Sequence, residues 1–100
     1  MKADDRTTTA RVPTANGSRY LQQLCKHWSH RLDVTFDPSH GDIKFEGARC
    51  VMEAQADALV VTLTVEDAGE TERMQGVVSS HLDRFAFREA PLAFDWQPAA

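Results

Sequence analysis

Cysteine is scarce in this chain of 100 residues: Cys25 and Cys50 are the only two. Neither sits in a C-x-x-C pair, so neither a disulfide framework nor a thiolate zinc site is indicated, and both read as small buried hydrophobes. Glycine (five) and proline (four) are too few for a fibrous or low-complexity chain. Basic residues are in deficit, eleven against fifteen acidic, and the net charge of -4 argues against general affinity for nucleic acid or an anionic membrane surface. No window approaches the ~18 apolar residues of a membrane span. The first nine residues are polar, without the apolar core of a signal peptide, so the expected location is the cytoplasm. A Gly-rich phosphate loop, H-E-x-x-H, G-x-S-x-G and a spaced carboxylate pair are all missing, so no reaction is named by motif.

What remains is an ordinary globule with 42% hydrophobic and 26% charged residues, long enough for one domain and one modest core. Residues 1–8 read as a flexible tail, residues 9–97 as the domain, and Pro98-Ala99-Ala100 as a second frayed end.

Threonines and Val12 at positions 7 to 12 predict a short edge strand that Pro13 must end, since proline offers no N–H to a ladder. Thr14 or Asn16 then caps a helix running to about Leu32, with Leu21, Leu24, Cys25, Trp28 and Leu32 on one apolar stripe. Four stretches of period two follow: Val34 and Phe36; Ile43 and Phe45; Cys50, Met52 and Ala54; then Leu59, Val61, Leu63 and Val65. Their short polar joints make an antiparallel meander. Asp67 and Glu70 stand at the spacing of a capping box, so a second helix opens near Ala68. Its stripe is Met74, Val77, Val78, His81, Leu82 and Phe85, and Pro91 bars its continuation. Leu92, Phe94 and Trp96 alternate as a last strand. The economical arrangement is an α+β two-layer sandwich: an antiparallel sheet of about five strands with both helices on one face. Its other face, with Val51 and Val60 among threonines and charges, is either solvated or the seam of a homodimer.

Histidine carries most of the chemical interest. Cys25, His27 and His30 share the first helix, yet at 100° per residue Cys25 lies in the core stripe while the histidines lie on its flank and outer face, so the three do not converge on one ion. His27 and His30 could hold a metal only with two outside ligands, and two solvated histidines are the simpler reading. Cys25 as a nucleophile would need exposure that its core position denies. His40 lies in a hydrophilic hairpin. His81 interrupts an apolar stripe: it is either a core imidazole bonded to a hydroxyl or a carbonyl, or the lining of a cleft between the helices with Tyr20, His27 and Trp28 opposite. Arg84 and Arg88 frame Phe85 and Phe87 where cations suit a helix C-terminus, and the same pair could grip a carboxylate or phosphate.

The blocks Arg19-Tyr20-Leu21-Gln22-Gln23-Leu24-Cys25-Lys26-His27-Trp28-Ser29-His30, Gly41-Asp42-Ile43-Lys44-Phe45 and His81-Leu82-Asp83-Arg84-Phe85-Ala86-Phe87-Arg88-Glu89 together resemble a bacterial family, domain of unknown function 2218. With their spacing they cover the chain from about Thr9 to Trp96. Trp28-Ser29 departs from the phenylalanine-glycine pair frequent there, which alters the shape of any cleft at the end of the first helix. The resemblance implies no established activity, cofactor or catalytic residue. It does imply a setting, beside or joined to siderophore-interacting flavin reductases.

The expected function is therefore a non-catalytic accessory module near iron or siderophore handling, without a cofactor or metal of its own. Its binding face would carry Tyr20, His27, His30, His81, Arg84 and Arg88, and its partner would be such a reductase or a small acidic ligand. The rival expectation is a small enzyme using His81 as general acid or base in an inter-helix cleft.

Overall fold

A computed structural model describes residues 6–99. In chain order it contains β1 (Thr7–Pro13), α1 (Gly17–Trp28), β2 (Asp33–Phe36), β3 (His40–Phe45), β4 (Ala48–Ala54), β5 (Ala58–Val65), a 3-10 turn (Ala68–Glu70), α2 (Thr71–Phe85) and β6 (Gln97–Pro98). The strands form one antiparallel sheet in the order β2-β3-β4-β5-β1-β6. It is the expected α+β sandwich with six strands, and both helices pack on the same sheet face.

Period-two alternation decides that face. Register sets Val12 opposite Leu59, Ala10 opposite Val61, Met52 opposite Val61 and Ile43 opposite Cys50, so the inward side chains form continuous apolar rows. Leu21, Leu24 and Cys25 of α1 and Val78 and Leu82 of α2 meet them with no exposed surface. Each leucine so enclosed contributes about 1.5–3 kcal/mol relative to an exposed one. Gly41 occupies an inward position on β3 where a Cβ would come within 2.7 Å of Cys25 Sγ, so only glycine lets α1 approach this closely. The outward rows are polar. Thr7 bonds Thr64, Thr9 bonds Thr62, Arg49 grips Asp42, and Lys44 reaches Asp33.

The β3–β4 hairpin closes on two residues, Glu46 and Gly47, between the Phe45–Ala48 pair. Gly47 takes φ +79° while Glu46 keeps a negative φ, the signs of a type II turn rather than the primed turns usual in two-residue hairpins.

Several expectations are corrected. α1 ends at Trp28, one turn before Leu32: the Trp28 carbonyl accepts from both Arg31 and Leu32 N–H, winding the chain into a tight turn that leads to β2. Neither Thr14 nor Asn16 caps α1 through its side chain, because both side chains are bonded to Glu89 instead. Asp67 accepts from Gly69 N–H, but Glu70 turns to Arg73, so the reciprocal capping box does not form and a 3-10 turn precedes α2. Leu92, Phe94 and Trp96 make no strand. Leu92 N–H is taken by the Asp83 carboxylate, and Phe94 stacks on Trp96 at 5.7 Å, so these side chains pack as an irregular flap. β1 is not an outer strand throughout, since Thr8 and Thr9 pair with Pro98 and Gln97. Thr7 and Thr8, assigned to the tail, stand in β1, and Ala99 N–H bonds the Thr7 carbonyl. The rest of the expected tail, residues 1–5, and Ala100 lie outside the described residues.

Candidate functional site

The last turn of α1 lies against the middle of α2, and five aromatic or imidazole rings meet there. Trp28 is buried because it sits on the core stripe, with its indole edge-on to Phe45 at 4.9 Å. His81 is half-buried, and its ring covers the indole at 4.7 Å. His27, exposed on the flank of α1, approaches His81 at 5.7 Å and Phe85 at 5.9 Å. His30 and Arg31, in the turn after α1, complete a groove of about 400 Å³ lined by His27, Trp28, His30, Arg31 and His81.

The orientation of His81 is set within its own helix. Its Nδ1 lies 2.7 Å from the Val77 carbonyl, one turn back. A carbonyl can only accept, so Nδ1 carries the hydrogen in the neutral ring and Nε2 keeps a free lone pair. His81 thus meets both readings of the sequence at once: it is bonded to a carbonyl and it lines a groove.

A second, smaller groove of about 180 Å³ lies further back along α1, lined by Arg19, Tyr20, Gln23, Phe85, Phe87 and Arg88. Phe85 is the wall between the two, touching His27 on one side and lining the smaller groove on the other. Behind it the Tyr20 phenol donates to the Glu89 carboxylate, which also accepts from Thr14 Oγ1 at 3.0 Å and Asn16 Nδ2 at 3.1 Å. These bonds favour the charged carboxylate, and the Tyr20 bond, then that of Asn16, holds Glu89 below its ordinary pKa of 4.5. The same bond, aided by burial, raises Tyr20 above 10.0.

The whole chain from 9 to 97 matches the model of the family described as uncharacterized protein conserved in bacteria, DUF2218. It belongs to that family. The NMR structure of PA4090 from Pseudomonas aeruginosa has the same fold, with a TM-score of 0.74, 37% sequence identity, and coverage of 93% of this chain and 96% of that one. No curated protein matches.

In this DUF2218 chain the expected binding face divides. His27, His30 and His81 come together, joined by Trp28 and by Arg31, which the sequence reading overlooked. Tyr20 does not line their groove, because it lies two turns back on α1. Tyr20 and Arg88 share the smaller groove, and Arg84, exposed in the last turn of α2, lines neither. Glu89 was also overlooked. Its three partners lie 69 to 75 residues away in sequence, beyond any local pattern.

The described residues hold no group of three metal-ligating side chains, and no helix among them is long and apolar enough to cross a membrane. Both thiols are fully enclosed, and burial pushes Cys25 up to about 11 and Cys50 up to about 12. A buried, protonated Cys25 is not a nucleophile in this state.

Proposed function

We propose that this domain is a non-catalytic binding module whose groove at the end of α1 takes a small acidic, aromatic ligand. The observation that carries this reading is the lining itself: three imidazoles and the Arg31 guanidinium surround the Trp28 indole, and no carboxylate is among them. The imidazoles of His27 and His81 over the buried Trp28 offer ring faces for stacking, Arg31 a bidentate grip on a carboxylate, and the His81 lone pair an acceptor for a ligand hydroxyl. A volume of about 400 Å³ suits a small molecule. The resemblance described above adds a setting beside a siderophore-interacting flavin reductase, where an acidic aromatic chelator or its ferric complex would be the ligand.

The test is a titration with 2,3-dihydroxybenzoate, free and iron-loaded, following histidine ring and backbone amide shifts. Saturable shifts at His27, His30 and His81, weakened about tenfold by Arg31→Gln, are expected. Equal shifts with catechol, which lacks the carboxylate, or none with any of these compounds, would refute the reading.

The pinned Nδ1 of His81 favours a second reading, a small enzyme in which Nε2 gives or takes a proton at a bound substrate. A proton NMR titration finding the His81 ring neutral and closed to solvent throughout would remove it.

A further inference from the structure

Phe87 is the most exposed large apolar side chain among the described residues, at 71% of its surface. A phenylalanine left in water is ordinary when its segment is loose, but this segment is fastened on both sides. Ala86 before it is buried, with its N–H bonded to the Leu82 carbonyl at 2.9 Å. Glu89 after it returns an N–H to Ala86 O at 2.8 Å and is tied by its carboxylate to Thr14, Asn16 and Tyr20. Phe87 and Arg88 are therefore held out together, the guanidinium 5.7 Å from the ring centroid. Presenting an aromatic ring and an arginine in a fixed geometry lowers the ordering cost of association, and phenylalanine and arginine are both enriched at protein interfaces.

Charge gives the character of what would cover them. On the strands and at the start of α2, cations are matched: Arg11 with Asp57, Lys44 with Asp33, Arg49 with Asp42, Arg73 with Glu70. Along α1 and the end of α2 they are not. Arg19, Lys26, Arg31, Arg84 and Arg88 make no ion pair among the described residues, and positions 16 to 32 contain no acidic residue. An acidic chain thus keeps an unmatched basic face on its helical layer. Glu89, the acid nearest Arg88 in sequence, has its oxygens committed to three donors. The groove beside Phe87 is about 180 Å³, too small for a cofactor and suited to a single side chain.

We propose that the groove bounded by Arg19, Arg88 and Phe87 docks an acidic segment of a partner protein. One carboxylate side chain enters between the two guanidiniums, and an apolar neighbour lies on Phe87. The site is separate from the small-ligand groove, on the other side of Phe85, and does not depend on that groove's ligand.

The test uses a short acetylated peptide of aspartates and glutamates with one leucine, beside the same peptide with asparagine and glutamine in their place. The acidic peptide is expected to give saturable amide shifts at Arg19, Gln23, Phe87 and Arg88, weakened by added salt. Arg88→Gln and Phe87→Ser should each weaken it about tenfold while leaving the rest of the spectrum in place, since both residues are exposed. Equal shifts from the amide peptide overturn the proposal. So do shifts confined to His27, His30 and His81, which would assign the acidic preference to the other groove alone. Shifts at Phe87 on concentrating the protein without peptide also overturn it, by making a second copy the occupant.

Discussion

The phenol of Tyr20 donates to the carboxylate of Glu89, tying the first turns of α1 to the residues that follow α2. The bond joins positions 69 apart in sequence and shapes the smaller groove.

Its loss should be felt differently at different pH. Glu89 is held below 4.5 in the fold, chiefly by Tyr20, so its stabilisation is present above about pH 4.5 and lost as pH falls through the folded value. Tyr20 is raised above 10.0, so its share is present below that value and lost as pH rises through the folded one. Tyr20→Phe is expected to cost about 1–2 kcal/mol near pH 7 and distinctly less near pH 3. Urea unfolding at the two pH values checks this, and an equal cost at both would show that the bond to the ionised carboxylate contributes nothing.

The thiols supply a second alkaline limb. Burial holds Cys25 near 11 and Cys50 near 12, against 9.0 when unfolded, so the fold disfavours both thiolates and loses stability as pH rises through that window. Each thiol contributes a slope of up to about 1.4 kcal/mol per pH unit there. Below it, labelling by iodoacetamide should proceed only at the rate of unfolding, and Cys25→Ala should leave Cys50 just as protected. Rapid labelling of the folded protein would contradict the enclosure of both sulfurs.

The sheet was legible because one buried face forces period two: Ile43, Cys50, Met52, Leu59, Val61 and Leu63 all alternate and all lie inside. The same rule misread Leu92, Phe94 and Trp96, whose alternate burial comes from packing as a flap without ladder partners. The reach of α1 to Leu32 was overestimated because Leu32 still packs on the core from a turn, where periodicity cannot tell helix from coil. For the site, helical angles excluded a Cys25–His27–His30 cluster and raised a cleft between His27, Trp28 and His81. They could not supply Arg31 or Glu89, which are placed by the turn after α1 and by contacts across the domain.

Gly41 and Cys25 should couple. Adding a Cβ at Gly41 brings it to 2.7 Å from the Sγ of the fully buried Cys25, and Gly41→Ala is expected to destabilise by about 1–3 kcal/mol. Cys25→Ala removes that sulfur, so the double variant should be more stable than the sum of the two losses predicts. Chemical denaturation of the four proteins measures this, and strict additivity would mean that α1 and β3 do not meet at these two residues.

The tautomer of His81 bears most directly on function. A hydrogen bond from Nδ1 to the Val77 carbonyl requires that the neutral ring carry its hydrogen on Nδ1, the minority form of free imidazole side chains. Nitrogen-15 spectra of the neutral ring should show a protonated Nδ1 and a lone pair on Nε2, and Val77→Ala should leave this unchanged because only its backbone is used. Were Nε2 the protonated atom, His81 would present a donor to the groove in place of an acceptor. A ligand hydroxyl could then no longer donate to it, and a carboxylate would take that position. The spectrum therefore decides how an acidic aromatic molecule must be oriented against His81 before any ligand is known.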